Sequence, residues 1–260
     1  MPRVAFIWDV DGVILNTPQH TAWLFAARRP PWRIKTITAQ FYYKYVASRT
    51  RREGGDNILR LKRVYERLGA ESRAQQESLL SDFCSTKNKI LEHLIEIENP
   101  GLVFPDALDF VLRAKRFGLL QAIASVSTNA NKTLTRTGKK QSSFIAETFA
   151  NVESIDKSLH SVFDVDVCGL DDNKRNLLKL SALELRRLAG ENLNYVFFDD
   201  SAEGIRIANG LGFYSVAVAR CPVAEKLLRK ARPDLITNDL REIDINKITE
   251  DCNSKCLLKR

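Results

Sequence analysis

The 260-residue chain has no uninterrupted apolar run near the ~18 residues a membrane span needs. Its first apolar stretch, Val4–Trp8, is cut short by Asp9 and Asp11, which is wrong for a secretory leader. Histidine is scarce, and His20, His93 and His160 all lie away from the ends of the apolar segments, which argues against a zinc centre. The five cysteines (Cys84, Cys168, Cys221, Cys252, Cys256) are odd in number and scattered, which argues for thiols over a disulfide framework. Cys252 and Cys256 offer two ligand atoms near the C-terminus, but no second Cys/His pair lies close in sequence. No internal repeat or low-complexity tract is evident. These absences predict a cytoplasmic protein with reduced thiols and no membrane contact.

The composition is that of an ordinary globular protein, 44% hydrophobic and 28% charged, and the length suffices for one large core or a core plus a smaller domain. The net charge of +8 is unevenly spread. Between Arg28 and Arg67 twelve Lys/Arg face only Glu53, Asp56 and Glu66, and Trp32, Phe41, Tyr42, Tyr43, Tyr45 and Tyr65 are interleaved among them. Three readings stay open at this point: a solvated face of amphipathic helices, a surface that attracts a phosphorylated substrate, or a nucleic-acid surface.

Val4–Trp8 predicts a strand buried on both faces. From about residue 18 to 98 apolar residues recur at helical spacing, as in Ile58, Leu59, Leu61, Val64, Tyr65 and Leu68, and a second helix over Ala74–Glu98 ends at Asn99-Pro100-Gly101. Beyond Pro105 the pattern alternates. Helices are expected over Asp106–Phe117, Arg175–Ala189, Ala202–Leu211 and Val223–Ala231. Strands are expected over Leu119–Ser125, Val162–Cys168, Tyr195–Phe198, Tyr214–Ala219 and Leu235–Thr237, with a helix and irregular chain between Asn129 and Ser161. Strand–helix repetition of this kind predicts an α/β fold: a Rossmann-like parallel sheet with an α-helical block inserted after its first strand.

In such sheets ligands bind at the carboxyl edge. Three polar clusters are placed there: Asp9/Asp11, Ser125/Ser127/Asn129 and Asp199/Asp200. Carboxylates packed together raise one another's pKa, a conflict that a divalent cation removes, and hard oxygen ligands suit Mg²⁺. A carboxylate attacking phosphorus needs its charge masked, a second carboxylic group can shuttle the leaving group's proton, and phosphoryl oxygens need donors and positive charge.

The order Asp9-x-Asp11-Gly12-Val13, Ser125 after a strand, a lysine, then Asp199-Asp200-Ser201 resembles the haloacid dehalogenase-like superfamily, and within it the β-phosphoglucomutase-like branch with a helical cap. Phe198–Ile205 is similar to the branch's acidic motif, Ala124–Asn129 to its second motif, and Ser48-Arg49-Thr50-Arg51-Arg52-Glu53-Gly54 to a stretch of its cap. The resemblance implies that Asp9 is the nucleophile and Asp11 the general acid/base. It places Asp9, the Asp11 main-chain carbonyl, Asp200 and Asp199 around Mg²⁺. Ser125 would bind the phosphoryl group, with Ser127 and Asn129 beside it as substrate-binding residues, and Arg49 and Arg51 would reach a small phosphorylated metabolite from the cap. The family's lysine precedes a proline that is lacking here. Lys174 is the expected counterpart, with Lys157 the alternative. The expected organisation is a catalytic core of 1–17 and 99–245, a cap of 18–98 closing about its two linkers, and a tail of 246–260. The expected reaction is hydrolysis of a sugar phosphate or similar ester. The alternatives are a β-phosphoglucomutase-type mutase, which Thr128 disfavours because mutases of the branch often carry lysine there, and a non-catalytic phosphate- or nucleic-acid-binding module. Residues 130–161 exceed the family's usual length and have no assigned role.

Overall fold

The computed structural model describes residues 3–47, 49–98, 102–140 and 158–257. In β1 (Arg3–Trp8), Val4, Phe6 and Trp8 enter one hydrophobic cluster while Ala5 and Ile7 enter another, as the two-residue period of a strand requires. All five are buried, which explains why the segment is continuously apolar. β1 pairs in parallel with β2 (Gln121–Ile123) on one side and β4 (Leu193–Asp199) on the other. With β3 (Val165–Asp166), β5 (Tyr214–Val218) and β6 (Leu235–Thr237) the order is β3-β2-β1-β4-β5-β6, every pair parallel.

On one face of the sheet Trp8 stacks on Phe198, ring centroids 3.9 Å apart, beneath Phe110 of α6 (Pro105–Arg116). Ile245, Ile248 and Cys252 of α11 (Ile245–Leu257) and Ala130 and Leu134 of α7 (Ala130–Lys140) join this cluster. On the other face Leu177, Leu178 and Leu185 of α8 (Lys174–Ala189) and Ala208 of α9 (Ala202–Leu211) pack with Ala5, Ile7 and Phe197. α10 (Pro222–Lys230) precedes β6.

The chain separates into two compact units, one of Met1–Asn16 with Asn99–Arg260 and one of Thr17–Glu98. The second holds α1 (Gln19–Arg28), α2 (Ala39–Tyr45), α3 (Arg51–Leu61), α4 (Val64–Arg67) and α5 (Arg73–Glu98). Thr50 and Glu53 form a reciprocal capping box that starts α3. Trp23 and Trp32 both pack on Phe83 of α5, and a Cβ on Gly55 would lie 2.8 Å from Cys84 Sγ, so α3 lies very close to α5. Among the described residues no helix is long and apolar enough to cross a membrane.

Three details depart from the sequence expectation. β2 is shorter than Leu119–Ser125. The expected strand Val162–Cys168 resolves into a 3₁₀ turn over Leu159–Val162 and the two-residue β3, because Val162 is buried in the core while Asp164 pairs with Lys115 and the Gln121 amide. The segment beyond 245, expected as a tail, is the packed helix α11, fixed by an Asn194–Asn253 hydrogen bond of 2.7 Å. Lys157 and most of the long segment after α7 lie outside the described residues.

Candidate active site

β1 and β4 are neighbours, and their carboxyl ends deliver the acidic cluster. The Asp9 amide donates to the Phe198 carbonyl at 2.9 Å, which extends the ladder one step beyond β1 and brings Asp9 beside the end of β4. Asp9 Oδ1 accepts from the Val10 amide at 2.9 Å. Asp199 ends β4, fully buried, with Oδ1 accepting from the Ser201 amide at 2.8 Å. Ser201 then caps α9, its Oγ accepting from the Gly204 amide at 3.0 Å. One carboxylate oxygen from each of Asp9, Asp199 and Asp200 lies within 4.8 Å of the others.

Two glycines make this crowding possible. A Cβ on Gly204 would sit 1.9 Å from Asp199 Oδ2, and one on Gly12 would sit 2.1 Å from Asp200 Oδ2. Gly12 also has φ +81°, a left-handed conformation that glycine adopts without strain. It lies in the turn that carries Asp11, where the Gly12 amide donates to the Leu15 carbonyl at 2.7 Å and the Leu15 amide to the Val10 carbonyl at 2.9 Å.

Lys174 is the first residue of α8, a position where the helix dipole opposes a cation. It is held there by tertiary partners: Nζ is 2.9 Å from Asp9 Oδ1 and 3.3 Å from Asp199 Oδ2. The second contact is an ion pair without hydrogen-bond geometry, and Asp199 Oδ2 is buried with no hydrogen-bond donor among the described residues. Burial alone would lower the lysine's pKa, but Asp199 and Asp9 outweigh it and hold the ammonium charged. Burial pushes Asp199 up to about 6, with Asp9 adding to the rise and Lys174 opposing it. Asp200 is raised well above the carboxylate range by loss of hydration and by the fields of Asp199 and Asp9, with Lys174 opposing and Asp11 adding. Several carboxylates thus share one lysine, and Asp199 Oδ2 is left with that ion pair and no hydrogen-bond donor among the described residues. An all-oxygen donor set with residual negative charge fits a hard divalent cation.

Ser125 lies just past β2, buried, beyond Ala124, whose amide donates to the Trp8 carbonyl at 2.8 Å. Its Oγ accepts from the Ser127 amide at 3.2 Å, and the Ser127 Oγ in turn accepts from the Asn129 amide at 3.4 Å. The serine turn therefore sits on the strand beside β1, at the same sheet edge as Asp9. Arg49 and Arg51 belong to the inserted unit and are exposed. Arg49 donates to the Lys44 carbonyl at 3.4 Å, and Arg51 lines a cavity of about 530 Å³ with Ser81, Cys84 and Asn88.

One residue at this edge escaped the sequence reading. Arg220 follows β5 and donates Nη2 to the Val13 carbonyl at 2.7 Å, Nε to the Gly12 carbonyl at 3.4 Å and Nη1 to Asp106 Oδ2 at 2.6 Å. The available signal was its position just beyond Tyr214–Ala219, the same kind of strand end that singled out the aspartates.

A family model described as haloacid dehalogenase-like hydrolase matches residues 4–212. Among solved structures, the archaeal β-phosphoglucomutase of Pyrococcus sp. strain ST 04 is 28% identical with a TM-score of 0.72, over 94% of this chain and 96% of that one. A β-phosphoglucomutase from Clostridium difficile is 20% identical (TM-score 0.67; 99% and 100% covered). A predicted phosphoglycolate phosphatase from Haemophilus somnus is 13% identical (TM-score 0.58; 95% and 98% covered). The last two likenesses show the fold alone. No curated protein matches.

Proposed function

The chain belongs to the haloacid dehalogenase-like hydrolases, and from that premise we propose that it transfers the phosphoryl group of a small phosphomonoester through a phosphorylated Asp9. The observation that carries this reading is the buried Lys174 ammonium, 2.9 Å from Asp9 Oδ1 and paired also with Asp199, at the carboxyl edge where Asp200 converges. Asp9, Asp199 and Asp200, with the Asp11 main-chain carbonyl, would hold Mg²⁺, which supplies charge masking and polarisation of the phosphoryl group when bound.

The chain's own groups divide the remaining work. An Asp9 oxygen attacks phosphorus in line with the ester oxygen, the P–O bond to the leaving group breaks, and Asp11 gives that oxygen its proton. Asp11 then takes a proton from the incoming water as it attacks the phosphoaspartate, which releases phosphate and restores Asp9. Ser125 and Lys174 supply a donor and a positive charge to the equatorial oxygens. Arg49 and Arg51 are the cations proposed to recognise the rest of a sugar phosphate or a metabolite of similar size.

A second reading, transfer to another sugar hydroxyl instead of water, is favoured by the likeness to the Pyrococcus β-phosphoglucomutase. Thr128, where mutases of the branch often carry lysine, favours hydrolysis. Incubation with β-glucose 1-phosphate and Mg²⁺, with and without EDTA, separates them when free phosphate and glucose 6-phosphate are both quantified. EDTA-sensitive phosphate release is the expected result. Glucose 6-phosphate without free phosphate would establish the mutase. Absence of turnover there, on p-nitrophenyl phosphate and on a panel of phosphorylated metabolites would refute phosphoryl transfer.

A further inference from the structure

The turn that follows the nucleophile strand has to hold three things at once: Asp11, the Gly12 backbone against Asp200, and the chain's exit at Leu15. Its internal hydrogen bonds run from the Gly12, Ile14 and Leu15 amides to the Leu15 and Val10 carbonyls. The Gly12 and Val13 carbonyls are instead taken by one guanidinium, that of Arg220. The same guanidinium is ion-paired with Asp106 in the first turn of α6 and lies over the Phe104 ring, 3.9 Å from its centroid. Asp106 Oδ2 also accepts from the Leu240 amide at 2.9 Å. Both side chains of the pair are largely buried, 14% and 9% exposed, so solvent screens their attraction little.

We propose that Arg220 is a positioning residue for the phosphoryl transfer. Its rigid fork, anchored by Asp106 and Phe104, fixes the turn that presents Asp11 and presses Gly12 onto Asp200. This inference rests on the proposed function for the role of Asp11, and on geometry alone for the turn. A planar guanidinium suits the task because its donors diverge at fixed angles, so two carbonyls and a carboxylate are held by one body. Without it, the Gly12 and Val13 carbonyls lose their donors, the turn keeps its exit-side tether from the Phe104 amide to the Ile14 carbonyl, and Asp106 is left buried with a single amide partner. The affected group is the leaving-group acid of the first step, so the consequence for formation of the phosphoaspartate is chemically selective, whereas its action on water in the second step is common to all substrates. An alkyl ester needs its oxygen protonated as the P–O bond breaks, whereas p-nitrophenolate leaves readily without a proton.

The test compares wild type, Arg220→Met and Arg220→Lys on glycerol 2-phosphate and on p-nitrophenyl phosphate, with Mg²⁺ affinity measured separately by calorimetry. Arg220→Met is expected to lower the single-turnover rate of alcohol release from glycerol 2-phosphate about 100-fold, and that of p-nitrophenol release by no more than about fivefold, both at saturating Mg²⁺. Mg²⁺ binding should weaken about tenfold, because the Asp11 carbonyl moves with the turn. Arg220→Lys, which keeps the charge for Asp106 and one donor, should fall between. A merely destabilised protein would lose both release rates in proportion, so equal losses of the first-step rate on the two esters overturn the proposal. Unchanged Mg²⁺ affinity in Arg220→Met overturns it too, whatever the wild type turns over. A wild type that binds Mg²⁺ in an Arg220-dependent way but hydrolyses nothing would instead refute the phosphoryl-transfer reading.

Discussion

Replacing Gly204 by alanine sets a general preference of helices against one contact in this site. In an exposed helix interior the change should stabilise by about 1 kcal/mol, since alanine is the better helix former. Here the added Cβ would lie 1.9 Å from Asp199 Oδ2, where ordinary contact begins near 3.4 Å, so the carboxylate has to retreat by about 1.5 Å. Asp199 is fully buried and tied to the Ser201 amide, so the retreat strains the start of α9 and stretches the ion pair with Lys174. Overpacking costs typically ~1–3 kcal/mol, and a weakened buried ion pair adds to that. The expected net loss is about 2 kcal/mol, a fall of roughly 4–8 °C in Tm for a chain of this size. Turnover should drop about 100-fold, because Asp199 and Lys174 move together relative to Asp9. Differential scanning calorimetry and steady-state kinetics measure both. A variant with a higher Tm and undiminished turnover would refute the close placement of Asp199 on α9.

Asp9→Asn should abolish turnover with a circular dichroism spectrum like that of wild type; appreciable activity would falsify the nucleophile assignment. Asp11→Asn should be slowed about 1,000-fold yet bind Mg²⁺ with similar affinity in calorimetry, because its proposed ligand is a backbone carbonyl; loss of binding would place the side chain in the metal shell. Asp199 titrates near 6 when folded and near 4 when unfolded, so between these values the folded state keeps a proton the unfolded state has lost. Its contribution to stability therefore falls as pH rises through that window without metal, and Mg²⁺ must displace the proton to bind. The Tm gain from Mg²⁺ should accordingly be larger near pH 7 than near pH 5, and the reverse order would contradict the raised pKa. Lys174→Met should lower turnover about 100-fold and further raise the pKa of Asp199, detectable by NMR titration of the metal-free protein. An unchanged Asp199 titration would mean that the ion pair is absent in solution.

The sheet was legible because β1 and β4 are buried on both faces and leave nearly unbroken apolar text, and because each ends in aspartates. β3 was not, because a two-residue edge strand has too little burial to impose a period. α11 carries Ile245, Ile248 and Cys252 at helical spacing, but Asn253 is buried among them for the sake of Asn194, a partner 59 residues away that no local pattern reveals. The same holds for Arg220, whose partners lie 114 and 207 positions upstream. Lys174 was singled out through the family order, despite the missing proline, and its ion pairs with Asp9 and Asp199 explain why a cation tolerates the start of α8.

The position of β1 also sets the order of events at the ribosome. The strand at the centre of the sheet is the first one synthesised, and its ladder partner β4, in register from Arg3 with Leu193, is the fourth of six. At roughly 5–20 residues per second the apolar Val4–Trp8 segment waits about 10–40 s for that partner to emerge. The inserted helices, whose contacts join neighbouring parts of the chain, have no such delay. Nascent chains stalled before residue 193 therefore present the future centre of the sheet with its β4 edge unpaired, even where β2 has already emerged to cover the other edge, and that apolar edge is the natural target of a chaperone.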